Sequence, residues 1–129
     1  MIGYWDAYHG STYASVSVGG SFRTRVPGLT IFEEFKHVAP PYCYRCVYKQ
    51  TYPECNLVCA EFIRYTIEKE GDKSVAAFLC EPICSWGGQV VPPKDNWARV
   101  RKTLDEKGVL LIFDEVMTGF CQTGRMFGC

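Results

Sequence analysis

The sequence predicts an α/β fold built on a mainly parallel sheet. Two short apolar runs, 75–80 and 109–113, each follow a stretch with helical periodicity, and each leads directly into an acid. Alternation of helix and apolar strand is the rhythm of parallel-sheet proteins. Their strands are buried on both faces and so lack polar alternation. Ligands of such sheets gather at the carboxyl ends of the strands. The acids at those two ends are Glu81 and Asp114.

Taken in chain order, residues 4–8 are expected to close a first strand, and His9-Gly10-Ser11-Thr12 to turn after it. Ser11 or Thr12 then caps a short helix over 13–18. Residues 19–30, rich in Gly and Pro and carrying Arg23 and Arg25, read as a surface loop, and 40–53 as irregular chain. Asn56 is expected to cap a helix running to about Glu70, in which Cys59, Ile63 and Ile67 recur every four residues. Gly71 stops it. The run 75–80 follows and ends in Glu81-Pro82. Pro92-Pro93 precedes a second helix, with Asp95 as its cap, Trp97, Val100 and Leu104 as its apolar stripe, and Gly108 at its end. Lys94, Lys102 and Lys107 belong to that amphipathic helix and are expected to face water. The run 109–113 completes the series.

A length of 129 residues suits one domain with one core. At 47% hydrophobic and 22% charged residues, the chain reads as globular and soluble. Fourteen basic residues balance fourteen acidic ones, which removes any electrostatic reason to expect nucleic acid or an anionic membrane as partner. No apolar run approaches the roughly 20 residues of a membrane helix. Nor does a basic-then-apolar leader open the sequence, so the cytoplasm is the expected compartment. Eight cysteines in that setting read as reduced thiols. Four of them, spaced Cys43-x2-Cys46-x8-Cys55-x3-Cys59, offer a competing reading as a structural zinc module, since thiolates bind zinc tetrahedrally. Against it, the second pair would straddle a helix start and the intervening loop is very short; four clustered cysteines can also be buried thiols or a labile disulfide.

A carboxylate placed after five apolar residues is costly to bury unless its charge is compensated. Asp114 could cap the next turn, or it could meet a cation: a metal or a protonated ring nitrogen. The polar turn that follows is flanked by Gly119 and Gly124, which suits close approach of a ligand or another chain. The stretch Asp114-Glu115-Val116-Met117-Thr118-Gly119-Phe120-Cys121-Gln122-Thr123-Gly124 resembles the class-III aminotransferase signature D-E-V-x-T-G-F-G-R-T-G. The likeness extends, in the expected order, through Tyr8-His9-Gly10-Ser11-Thr12, Cys43-Tyr44-Arg45-Cys46, Thr51-Tyr52-Pro53, Ala77-Phe78-Leu79-Cys80-Glu81-Pro82 and Gly87-Gly88-Gln89-Val90-Val91-Pro92-Pro93.

That resemblance implies a single unit over 1–129: part of the three-layer α/β/α large domain of a fold-type-I transferase. It implies pyridoxal 5'-phosphate as cofactor, and transfer of an amino group from an amine or amino acid to a 2-oxo acid, by a cytoplasmic homodimer. Asp114 would pair with the protonated pyridine nitrogen and make the ring a better electron sink. Such a pair at ~4 Å and an effective dielectric near ~20 is worth roughly 4 kcal/mol before desolvation. Tyr8 would stack on one ring face and Val116 pack on the other; stacking adds only about 1 kcal/mol beyond burial, so Asp114 should dominate. His9 and Gly10 would shape the turn presenting Tyr8. Glu81 would organise hydrogen bonds around the cofactor, with a buried salt bridge as its structural alternative. Glu115 is given no chemical role, and no metal is implied.

Departures from the pattern fall in loops. Cys121 and Gln122 stand where the signature has Gly and Arg, and Cys84-Ser85-Trp86 replaces a smaller, glycine-rich turn. Met117 occupies a position that is polar in some members. The family's Schiff-base lysine would fall after Cys129 and its phosphate-binding turn before Met1. The expectation is therefore an internal piece, truncated at both ends and inactive alone.

Overall fold

A computed structural model describes residues 1–29, 31–71 and 73–129. Its elements are β1 (Ile2–Tyr4), α1 (Tyr13–Val18), β2 (Lys36–Val38), α2 (Val58–Glu70), β3 (Ala77–Cys80), α3 (Asn96–Lys107) and β4 (Leu110–Phe113). Single 3-10 turns lie at Phe22–Thr24 and Cys43–Arg45. The strands form one sheet in the order β2-β1-β3-β4, and every pairing is parallel. Register runs from Ile2 opposite Lys36 and Phe78 on one side to Cys80 opposite Phe113 on the other. The chain steps one way from β1 to β2, then crosses back to β3 and β4. Because crossovers are right-handed, that reversal puts α1 on the opposite face from α2 and α3, which themselves pack together.

The core lies between the sheet and the α2–α3 layer. Ile63 and Ile67 of α2, Val100 and Leu104 of α3, and Ile2, Tyr4 and Phe78 of the sheet are all but closed to solvent. The Tyr4 and Phe78 rings meet edge to face at 5.0 Å. Each large apolar side chain so buried contributes about 1.5–3 kcal/mol. On the other face α1 presses against β1, and Gly3 makes this possible: a Cβ there would lie 2.4 Å from the carbonyl oxygen of Val18. Among the described residues no helix is long and apolar enough to cross a membrane.

Several local expectations hold. Thr12 is the cap of α1, accepting from the Ser15 amide, and Gly71 and Gly108 end α2 and α3. Others need correction. The first strand ends at Tyr4 instead of Tyr8, because Asp6 adopts a left-handed backbone that turns the chain away. Asn56 does not cap α2; the cap position is Leu57, and the Asn56 side chain accepts from Arg99. Asp95 stands at the start of α3 without capping it, since its carboxylate accepts from the Tyr52 hydroxyl. The loop expected over 19–30 is not wholly superficial: Gly19, Gly20 and Ser21 are buried beneath it, while Thr30 lies outside the described residues. Lys107 is drawn from water into an ion pair with Glu68 at 3.0 Å, its side chain only 15% exposed. Strand β4 is not buried on both faces. Leu111 and Phe113 pack inward, Phe113 edge-on to Trp97, but Leu110 is 67% exposed on the face that α3 does not cover.

The zinc alternative finds no support. Among the described residues, no group of three or more His, Cys, Asp or Glu side chains is arranged to hold a metal, and all eight cysteines are free. Cys43, Cys46, Cys55 and Cys59 do border one void, but it measures about 10 Å³, roughly the room of a single water. Burial pushes the Cys59 thiol up to about 11.

Candidate functional site

Parallel strands send their carboxyl ends to one rim of the sheet, and the reversal between β1 and β3 opens a crevice there. Tyr8, His9 and Gly10 follow β1, Glu81 follows β3, and Asp114 follows β4. A cavity of about 350 Å³ occupies this rim and brings together Tyr8, Glu81, Asp114 and Val116, with Ser85, Trp86, Gln89 and Met117 completing its walls. Four of the six residues proposed from the sequence therefore share one space. His9 and Gly10 lie behind it.

Asp114 continues the β4 ladder, its amide donating to the Cys80 carbonyl at 2.8 Å. Its carboxylate is held from two sides: His9 Nδ1 donates to Oδ2 at 2.8 Å, and the Val116 amide donates to Oδ1 at 3.1 Å. The His9 ring is 3% exposed and reaches Asp114 across 105 residues of sequence. Behind it, Gly10 holds a left-handed φ of 115°, and a Cβ there would crowd Ser15 at 3.2 Å. This is the turn that carries Tyr8 and His9 to the rim. Val116 is 85% exposed, so it is not part of a packed turn but an apolar lip of the cavity.

Tyr8 forms an aromatic wall with Trp86, the two rings stacked at 4.9 Å, and its hydroxyl shares a 2.9 Å hydrogen bond with Ser11. Glu81 is buried, and among the described residues it makes no salt bridge. Its Oε2 accepts from the amide of Ser85 at 2.8 Å and from the Ser85 hydroxyl, while Oε1 is buried without a partner. A buried oxygen of this kind calls for a donor. Glu115 takes no part in the cavity: it accepts from Thr118 and from the amides of Gly128 and Cys129, tying down the loop after β4. Within that loop Phe120 and Cys121 carry left-handed φ of 55° and 69°. The cysteine thus keeps a backbone conformation that suits the glycine of the signature.

The charged side chains lining the cavity, Glu81 and Asp114, are both acids. Together with the flat Tyr8 wall and the apolar Val116 on the same lining, they suit a planar, cationic heterocycle with a further hydrogen-bond donor. Sequence reasoning did not foresee the His9–Asp114 bond, nor Ser85, Trp86 and Gln89 as lining residues. The four-residue step from Glu81 to Ser85 and the unusual Trp86 were the available signals.

Known proteins resemble this chain along its whole length. The family model for aminotransferase class-III matches residues 1–129. The chain is 39% identical over 128 residues to a putrescine–pyruvate aminotransferase of Pseudomonas aeruginosa, covering 99% of this chain and 28% of that protein. It is 37% identical over 129 residues to a leucine/methionine racemase of Thermococcus litoralis, covering 98% and 29%. Among solved structures, an omega transaminase from Pseudomonas jessenii in complex with PMP superposes with a TM-score of 0.91 at 34% identity, over 98% of this chain and 28% of that one. The chain thus spans somewhat under a third of the length of the relatives it matches, and its all-parallel α/β sheet is the corresponding part of their fold. It belongs to the class-III aminotransferase family.

Proposed function

We propose that the protein carrying this chain transfers an amino group from an amine or amino acid to a 2-oxo acid, with pyridoxal 5'-phosphate as cofactor. The observation that carries the reading is the Asp114 carboxylate, oriented by His9 and Val116 at the edge of an acid-lined cavity with an aromatic wall. When bound, the cofactor supplies an electron sink for charge developing at the substrate carbon. Asp114 keeps the pyridine nitrogen protonated; His9, as a positioning residue, fixes the carboxylate toward it. Tyr8 and Val116 confine the ring between them, and the free Oε1 of Glu81 accepts a hydrogen bond from the bound molecule. Cofactor contact is the better reading of Glu81, given its missing partner. We also propose that the protein is cytoplasmic and a homodimer; light scattering of the purified full-length protein would check the dimer, and cell fractionation the compartment.

The test is Asp114→Asn in the full-length protein, with 2-oxo acid formation as the readout. Loss of the charge pair, worth roughly 4 kcal/mol, should lower kcat/KM by about a thousandfold. Unchanged activity would remove the basis of the reading. Because one relative is named as a racemase, the assay should also follow the chirality of a single amino acid without acceptor. Amino transfer predicts no racemisation at a comparable rate.

A further inference from the structure

Trp86 stands between two cavities. It lines the space that holds Asp114 and Tyr8, and it also lines a second cavity of about 190 Å³ bordered by Asp6, Ser21, Phe22 and Arg23. Its indole is fixed on both sides. One face stacks on Tyr8 with 26° between the rings, and its N–H donates to the hydroxyl of Ser21 at 2.8 Å. Ser21 is itself 1% exposed and caps the 3-10 turn that carries Phe22 and Arg23. Gly87 follows at once, where a Cβ would lie 3.1 Å from the sulfur of Cys84.

We propose that Trp86 is the specificity-determining wall of the substrate site, confining donors to compact aliphatic substituents and closing off the space beside Arg23. The inference rests on the reading of the larger cavity as the reaction site. A large, flat side chain anchored at its polar tip resists displacement, whereas an unanchored one would yield more readily to an aryl group. The second cavity is the space an aryl substituent would occupy if the wall were absent.

The test compares propan-2-ol with 1-phenylethanol, which match alkyl and aryl amine donors in shape but cannot react. Dissociation constants are measured by ligand-observed NMR on the full-length holoprotein, in wild type, Trp86→Ala, Trp86→Phe and Ser21→Ala. Pocket volume of a few methylenes changes affinity by about tenfold or more. Trp86→Ala should therefore tighten 1-phenylethanol relative to propan-2-ol by at least about tenfold, Trp86→Phe less, and Ser21→Ala by about twofold to threefold. The KM for 1-phenylethylamine should fall in the same order relative to that for isopropylamine. A ratio of the two alcohols unchanged within about twofold in Trp86→Phe overturns the proposal even where Trp86→Ala fails to fold. Absence of amino transfer to a 2-oxo acid from amine and amino-acid donors alike in the wild type would instead sink the functional reading, and the alcohol ratio would still judge the wall.

Discussion

The helix-covered face of the sheet and the rim at its strand ends are built by opposite rules. Under α2 and α3 the apolar side chains are closed off, and the charges above them find partners: Arg99 with Glu61, Arg64 with Glu106, Lys107 with Glu68. At the rim, Glu81 and His9 each keep a buried polar atom without a partner, and Val116 lies open beside them. Leftover hydrogen-bonding capacity costs stability; at Glu81 it borders the cavity, while Asn96 at the start of α3 carries the same cost inside the helix layer. The helix layer holds the fold, and the rim gathers the candidate site.

Three substitutions would sharpen or break that division. The largest effect belongs to the core: Phe78→Ala removes a ring fully closed to solvent and should destabilise the full-length protein by about 3–5 kcal/mol, read as a lower urea midpoint. A loss under about 1 kcal/mol would mean the sheet face is not the principal core. Next is His9→Ala, which removes one charge-assisted hydrogen bond to Asp114, worth about 1.5–3 kcal/mol. That should weaken pyridoxal phosphate binding and lower kcat by roughly 10–100-fold. His9→Asn, which keeps a donor near the same place, should recover part of the loss; equal damage from both variants would point to packing instead of positioning. The smallest is a gain. Cys121→Gly relieves a left-handed backbone and should raise stability by about 1 kcal/mol, visible as a higher melting temperature.

Much of this division was legible in the sequence, because it rests on local patterns. Cys59, Ile63 and Ile67 announce a helix by spacing, Gly71 and Gly108 announce its end and that of its neighbour, and an acid after an apolar run announces a strand terminus. What stayed hidden depends on partners far along the chain. Strand β2 is three residues of mixed polarity, Lys36 to Val38, and exists because β1 pairs with it. Asn56 and Asp95 are good caps by type, but each spends its side chain on a distant residue, Arg99 and Tyr52. His9 was read as part of a turn, and its bond to Asp114 spans 105 positions that no short motif can encode. The departure at Trp86 was visible as a departure only; its stacking on Tyr8 needed coordinates.

Gly3 has a reach beyond the strand it occupies. The end of α1 rests on it, with Val18 so near that a single added carbon would have to lift the helix. The first turn of that helix follows directly from Ser11 and Thr12, and Ser11 steadies the hydroxyl of Tyr8. A hydrogen atom at position 3 thus works as a spacer of zero thickness beneath α1, setting how high the helix stands above the sheet. Anyone reshaping the cavity for new ligands inherits that dimension from the floor.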